Sequence, residues 1–278
     1  MNKKPPPKIL RVKDPDPVPS KFEPIHENLP QIDGYGGGAC ILMCSPVKTG
    51  KSTIINNFLL NKDFYNAQER FESTHIISNT IANDITSRYL KKAFDTHDHY
   101  DDAIVDAIVA KQKSYDKEDQ PHIAMVVDDC LGSCGQNSSI WKLCSRFRHF
   151  NIKLLIISSQ NFRSVSPIIR QNATNVIVGS PFPNRKELLK IAEEYGDLFG
   201  GPEKWIALYR KATPERYNFI HMDLQSNPPK MYKNFDELIA EGERDMMAIS
   251  QKDIVEAEDN QNIKKSKKDN VEENVETK

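Results

Sequence analysis

The chain has 278 residues, which suits one sizeable α/β domain with tails rather than two full domains. Its formal net charge of -1 excludes overall electrostatic attraction to a polyanion, so any contact with nucleic acid needs a local basic patch. No apolar run approaches the ~20 residues of a membrane-spanning helix, and the basic N-terminus lacks the apolar stretch of a secretory signal. We therefore expect a soluble, intracellular protein without a membrane span, whose five cysteines are reduced thiols.

The two ends of the chain differ in composition from its middle. Residues 1–33 contain repeated prolines, and proline fixes φ and removes a backbone hydrogen-bond donor. We predict a proline-rich N-terminal arm there, which orders only against a neighbouring surface. Residues 242–278 carry charges of alternating sign and too few apolar residues to offset the entropy of ordering, which predicts a disordered tail. The folded domain is expected over residues 34–241.

Short apolar runs alternate with helical patterns inside this domain. Buried parallel strands are predicted, in chain order, over residues 40–44, 74–78, 123–127, 152–157 and 175–178. Helices are predicted from Lys51 onward and over residues 101–113, 139–150 and 184–195. Strands that alternate with helices predict an α/β fold, a mostly parallel sheet covered by helices on both faces.

The segment from Ser45 to Ser52 lies between the first strand and the first long helix. It matches the P-loop motif G-x-x-x-x-G-K-[ST] at Gly50, Lys51 and Ser52, but Ser45 replaces the first glycine. Gly50 would let the backbone wrap phosphates, Lys51 would neutralise them, and the Ser52 hydroxyl would ligate Mg²⁺. Ser45 fits only if its backbone angles tolerate a Cβ atom. The predicted ATP-binding residues are Ser45, Lys48, Thr49, Gly50, Lys51, Ser52 and Thr53; the alternative is a chance match at a helix start.

Two adjacent acids end the strand predicted over residues 123–127. Asp128 and Asp129 would lie at the carboxyl edge of the sheet, where ligands bind in this class of fold. Asp128 would hold Mg²⁺ together with Ser52, and Asp129 would polarise the attacking water. Asp129 is one methylene shorter than the glutamate that many P-loop motors use at this place. The alternative is that the two acids simply close a strand.

Polar residues flank the next predicted strand. Gln160 follows it and would sense the γ-phosphate if this strand lies between the acidic strand and the P-loop strand; the alternative is a solvated amide. Arg148, or else Arg146, could reach the nucleotide of a neighbouring subunit as an arginine finger, and Arg170 is a third candidate. The alternative for each arginine is a solvated helix face.

Together these segments have a specific resemblance. Residues 41–52, 126–129, 148–160 and 169–174 resemble the genome-packaging ATPases of large DNA viruses and virophages, which belong to the FtsK–HerA superfamily of ring motors. The resemblance covers roughly residues 40–224 and departs from the usual pattern at Ser45. It implies a RecA-like P-loop NTPase core with catalytic roles for Lys51, Asp129, Gln160 and Arg148.

The same resemblance implies partners and a location. It implies a homo-oligomeric ring that moves double-stranded DNA into a capsid by hydrolysing Mg-ATP. A capsid or portal-vertex protein is then the expected partner, and a cytoplasmic viral factory of the infected host cell, or the virion, is the expected location.

Other interpretations stay open at this stage. Arg163 is a candidate DNA contact, and the lysines between residues 264 and 268 could touch phosphates, although a solvated tail is the simpler interpretation. A small-molecule P-loop kinase would need a second substrate site, and a nucleotide-binding subunit without turnover is kept open by Ser45. A GTPase is disfavoured because the N-K-x-D base-reading motif does not occur.

Overall fold

The structure, a computed structural model, describes residues 22–33, 37–135, 137–182 and 184–242. The predicted C-terminal tail and most of the predicted arm lie outside these residues. The described strands are β1 (Ala39–Cys44), β2 (Ser73–Ser78), β3 (Asp95–His97), β4 (Ile123–Asp128), β5 (Ile152–Ser159), β6 (Asn175–Gly179), β7 (Phe219–Asp223), β8 (Lys230–Lys233) and β9 (Glu237–Glu241). They form one sheet in the order β3-β2-β4-β5-β1-β6-β7-β8-β9.

The first six strands are parallel and the last three pair antiparallel. The expected mostly parallel sheet is thus confirmed, and all five predicted strands are present. β5 lies between β1 and β4, so the strand that ends next to Gln160 separates the P-loop strand from the acidic strand. Residues of β1 alternate between two apolar cores, one on each face of the sheet, which explains why its sequence is apolar throughout.

Helices cover both faces of the sheet. They are α1 (Lys51–Leu60), α2 (Ala67–Arg70), α3 (Arg88–Ala93), α4 (Asp102–Lys113), α5 (Ser139–Cys144), α6 (Pro167–Asn172), α7 (Arg185–Tyr195) and α8 (Pro202–Ala212). The predicted helices at α4 and α7 are confirmed, and Asp101 and Asn184 cap them by accepting a backbone N–H. None of the described helices combines the length and apolar character that a membrane crossing needs.

The helix predicted over residues 139–150 is wrong in its second half. α5 ends at Cys144, and Phe147–Phe150 forms a separate 3-10 turn before β5. The Ser145 hydroxyl donates to the carbonyl of Lys142 at 3.0 Å, a local bond that competes with the helical backbone ladder. Asn151 then adopts a left-handed φ of 52°, which turns the chain into the strand.

Residues 22–33, the described part of the predicted N-terminal arm, pack against the domain. Ile25, Leu29 and Ile32 are buried in the same core as α1. The Tyr65 hydroxyl donates to the carbonyl of Pro30 at 2.6 Å, which ties the segment to the region after α1. The domain boundary at residue 33 stays a prediction, but these contacts give residues 22–33 a place on the domain surface.

Candidate active site

The loop between β1 and α1 has a backbone suited to an anion. Lys48 and Gly50 adopt positive φ angles of 62° and 98°, and Gly50 is the N-cap of α1. Because glycine has no side-chain acceptor, it cannot cap the first amides of the helix, which stay available to a ligand. The first turn is Lys51-Ser52-Thr53 and carries no acid, so nothing in it opposes a bound anion.

Ser45 fits in place of the usual glycine for two structural reasons. Its own φ is negative, so the loop does not require glycine there. Its side chain fills the space beside Gly179, where an added Cβ would lie 2.0 Å from the Ser45 Oγ. The Ser45 hydroxyl bonds the hydroxyl of Thr49, which donates to the Pro46 carbonyl at 2.6 Å. Both residues are buried, so the two hydroxyls brace the loop from inside.

The two acids after β4 lie in different environments. Asp128 is buried and accepts hydrogen bonds from the hydroxyls of Ser158 and, at 3.0 Å, Ser78. Burial raises the pKa of the Asp128 carboxyl above its usual value, although Lys51 and the two hydroxyls act in the opposite direction. Asp129 adopts a left-handed φ of 52°, which turns its side chain toward the phosphate loop.

Three predicted site residues meet at Asp129. The Lys51 ammonium forms an ion pair with Asp129 Oδ1, and the Gln160 amide donates to Asp129 Oδ2 at 2.8 Å. The three residues follow β1, β4 and β5, whose carboxyl ends lie side by side on one edge of the sheet. The pair is largely buried, with the Lys51 and Asp129 side chains 7% and 13% exposed. A buried ammonium, a carboxylate and an amide therefore surround one small volume at the start of α1.

Sequence reasoning missed an acid near Ser52. Asp84 lies between β2 and α3 and accepts hydrogen bonds from the Thr86 amide at 2.9 Å and the Ser87 hydroxyl at 2.9 Å. Burial acts to raise the pKa of the Asp84 carboxyl, but hydrogen bonds from Thr86, Ser87 and Ser52 outweigh it and lower that pKa. Nothing in the local sequence distinguishes this acid from an ordinary loop residue.

Solved structures of viral packaging ATPases resemble this chain in fold. No protein-family model and no curated protein matches the chain. The DNA-packaging ATPase B204 of Sulfolobus turreted icosahedral virus superposes with a TM-score of 0.52 and 17% identity, over 70% of this chain and 96% of that one. The sulfate complex of the genome packaging NTPase B204 from Sulfolobus turreted icosahedral virus 2 gives a TM-score of 0.51 with the same identity and coverage.

The chain has the fold of a P-loop NTPase. At 17% identity the likeness shows the fold, and it is the fold that the resemblance to genome-packaging ATPases implies. The predicted fold class, an α/β P-loop NTPase with a mostly parallel sheet, is thus confirmed. The roles of the individual site residues stay predictions.

Two of the three candidate arginine fingers, Arg146 and Arg148, lie far from the phosphate loop of their own chain. Arg146 and Arg148 are exposed and precede β5, whereas Gln160 follows it. The eight residues of that strand span about 25 Å, so both arginines lie at the opposite edge of the sheet. Neither arginine is therefore positioned to contact a phosphate at the P-loop of its own chain. Arg170 instead forms an ion pair with Glu194, and Arg163 forms one with Glu187 at 3.1 Å.

A different arginine lies beside the phosphate loop. Arg216, between α8 and β7, donates from Nη2 to the carbonyl of Lys48 at 3.2 Å. It is separated from Lys48 by 168 residues, and no motif surrounds it, so no signal in the sequence indicates this contact. The guanidinium also lies 5.1 Å from the ring centroid of Tyr217. Arg216 therefore adds a cation from a distant part of the chain to the two lysines of the loop, Lys48 and Lys51.

Proposed function

We propose that the chain is an ATP-driven motor that packages viral double-stranded DNA into a capsid, hydrolysing Mg-ATP at the P-loop. The observation that carries the proposal is the meeting of Lys51, Asp129 and Gln160 at the carboxyl ends of three adjacent strands. A phosphate-binding residue, a group able to polarise water and an amide able to sense the γ-phosphate are thereby within reach of one another.

The residues around the site carry the charge and the donors that a triphosphate needs and the oxygen atoms that Mg²⁺ needs. The uncapped amides of α1, Lys51 and Arg216 supply donors and positive charge, while Ser52 and the buried Asp128 supply the oxygen ligands that Mg²⁺ prefers. Ser78 and Ser158 orient the Asp128 carboxylate by donating to its two oxygens. When bound, Mg²⁺ would neutralise charge on the phosphate oxygens.

Asp129 and Lys51 are coupled in a way that suits hydrolysis. Without nucleotide, Asp129 neutralises the Lys51 ammonium. A triphosphate carries more negative charge than one carboxylate and would draw the ammonium toward itself, which frees Asp129 Oδ1 to accept a hydrogen bond from water. Gln160 continues to hold Oδ2 and so maintains the orientation of the carboxylate. Nucleotide binding would thereby prepare the group that polarises the attacking water.

Coupling to DNA needs a ring and a partner. The fold likeness to the DNA-packaging ATPase B204 supports a packaging role. Arg148 lies at the sheet edge opposite its own P-loop, so its proposed role as an arginine finger requires the neighbouring subunit of a homo-oligomeric ring. A capsid or portal-vertex protein would hold the ring, and the infected host cell or virion would be its location.

Steady-state ATP hydrolysis with and without double-stranded DNA tests the proposal. We expect DNA-stimulated turnover that falls by at least ~100-fold in Lys51→Ala and in Asp129→Asn, because each variant removes one group of the constellation. Asp119→Asn is the matched control, since this exposed acid precedes β4 at the opposite edge of the sheet. If DNA does not change the rate of turnover and the protein phosphorylates an added nucleotide, a small-molecule kinase would be favoured. Nucleotide binding without turnover at any protein concentration would leave a nucleotide-binding subunit.

A further inference from the structure

A cavity of about 570 Å³ opens directly beside the phosphate loop. One wall is formed by Gly50, Thr53, Ile54 and Asn57, which lie three or four residues apart and so share one face of α1. Gly50 belongs both to this wall and to the turn that begins the helix. The cavity is therefore continuous with the proposed phosphate site and extends from it along the helix.

The opposite wall of the cavity is aromatic. The Phe235 ring lies at its centre, 6.0 Å from Phe64 and 4.9 Å from Phe219 between centroids, with interplanar angles of 82° and 65°. Phe219 and Phe235 are buried, so their positions are fixed by the core around them. This wall offers a rigid apolar surface of the kind that small-molecule sites use.

Tyr217 stands at the mouth of the cavity, next to Gly50. A Cβ atom added at Gly50 would lie 3.5 Å from its ring. The side chain is 57% exposed, and its backbone is held at a left-handed φ of 74°, which few tyrosines adopt. Arg216 lies against its ring and donates to Lys48 of the phosphate loop. The ring is thus attached to the loop yet open to a ligand.

The side-chain oxygens of both asparagines in the cavity are already engaged within the protein. The Asn57 amide donates to the Thr53 carbonyl at 2.9 Å, and its oxygen accepts from Asn61 at 3.0 Å. The Asn234 oxygen accepts the backbone amide of Phe219 at 2.9 Å. A flat ligand would therefore be held chiefly through its face rather than through hydrogen bonds to its edge.

We propose that this cavity holds the base and ribose of the nucleotide, with the base stacked on Tyr217, and that it distinguishes adenine from guanine only weakly. The inference rests on the proposed binding of a nucleoside triphosphate at Lys51. Stacking tolerates every base because every base has a π-face. Strong discrimination requires a site built to hydrogen-bond one particular edge. The asparagine oxygens that could accept from the 6-amino group of adenine already accept hydrogen bonds from Asn61 and from the Phe219 amide.

Calorimetric binding to the full chain, with Mg²⁺ present, tests both parts. The probes are the non-hydrolysable analogues AMPPNP and GMPPNP and inorganic tripolyphosphate, which has no base. Tyr217→Ala should weaken both analogues by about 10-fold while changing tripolyphosphate binding by less than about 2-fold, because only the stacking is lost. Tyr217→Phe keeps the ring and should bind as the wild type does. Tyr115→Ala is the matched control, because this tyrosine is also exposed and lines a different cavity.

Each outcome distinguishes the two proposals. A wild type that binds none of the three probes would refute the proposed nucleotide site itself. If the wild type binds AMPPNP and Tyr217→Ala binds it equally well, the base cavity is wrong while the nucleotide site stands. A Tyr217→Ala variant that loses tripolyphosphate to the same extent would show that Tyr217 acts on the loop rather than on a base. A wild-type preference for AMPPNP over GMPPNP beyond about 100-fold would overturn the weak discrimination.

Discussion

The contact between Gly179 and Ser45 allows a test of how serine replaces the first glycine of the P-loop motif. In Gly179→Ala, the new Cβ would lie 2.0 Å from Oγ and 2.9 Å from Cβ of Ser45. The third nearest atom, the Ser45 Cα, is at an ordinary 3.6 Å, so the overlap is with the serine side chain. The Ser45 hydroxyl must then rotate away and give up its bond to Thr49, and the two backbone segments must also move apart slightly to relieve the 2.9 Å approach to the Ser45 Cβ. The alanine therefore disturbs the loop through one identifiable group.

The magnitude follows from this overlap. Overpacking a core costs about 1–3 kcal/mol, and a buried hydroxyl left without a partner costs about 1–3 kcal/mol, so we expect Gly179→Ala to lower the free energy of unfolding by about 2–4 kcal/mol. Ser45→Gly loses one hydrogen bond and adds a flexible residue, which costs about 1–2 kcal/mol. In the double variant the overlap is gone, so adding Gly179→Ala to Ser45→Gly should change stability by less than about 0.5 kcal/mol.

Urea unfolding of the four proteins, followed by circular dichroism, measures the coupling energy. The double variant should be at least as stable as Gly179→Ala alone, with a coupling of about 2–4 kcal/mol. Gly132→Ala is the control, because among the described residues no heavy atom lies within 4 Å of a Cβ built there. Additive effects of Ser45→Gly and Gly179→Ala, within about 0.5 kcal/mol, would refute the account of how serine replaces glycine in this loop.

Three further predictions concern the role of Arg148 between subunits, the contribution of Arg216 to nucleotide binding and the effect of His221 on stability at low pH. Mixing Lys51→Ala subunits with Arg148→Ala subunits, each inactive alone, should restore ATP hydrolysis if Arg148 completes a neighbour's site; no recovery in co-assembled rings would contradict that role. Arg216→Ala should weaken AMPPNP binding by about 3- to 10-fold at low salt and by less at high salt, since the exposed guanidinium is screened; calorimetry at two ionic strengths decides this. Burial lowers the pKa of His221 to about 3, so the folded state keeps the ring neutral. Stability present above pH 6.5 should therefore be lost as the pH falls toward 3, by up to about 4 kcal/mol, and the pH slope of urea unfolding should flatten in His221→Gln.

The parallel half of the sheet was predictable because of its burial. β1 and β4 are buried along their whole length, and helices cover both of their faces, so their sequences are continuous apolar runs. The antiparallel strands β7, β8 and β9 were not predicted. β9 is exposed or half-buried throughout, and β7 contains the polar residues His221 and Asp223. At this end of the sheet, tertiary pairing rather than local pattern decides that the chain is extended.

The meeting of Lys51, Asp129 and Gln160 was predictable for a topological reason. In a parallel sheet, residues that follow different strands come to the same edge, so three short segments suffice to predict one site. The exact partners were not predictable: the ion pair of Lys51 with Asp129 depends on the left-handed φ of Asp129, and no local pattern indicates that angle.

The proposed phosphate site and the cavity beside it differ in how many chain segments build them. Phosphates are bound by successive amides and side chains of one segment, so their chemistry is recorded as a contiguous motif from Ser45 to Ser52. The cavity combines one face of α1 with Tyr217, Phe219 and Phe235, more than 150 residues away in the sequence. A surface assembled in this way needs only aromatic residues at suitable places, and many sequences satisfy that requirement. In this fold a sequence motif therefore predicts the site for the phosphates, which all nucleotides share. The residues that contact a base must be found from the tertiary structure.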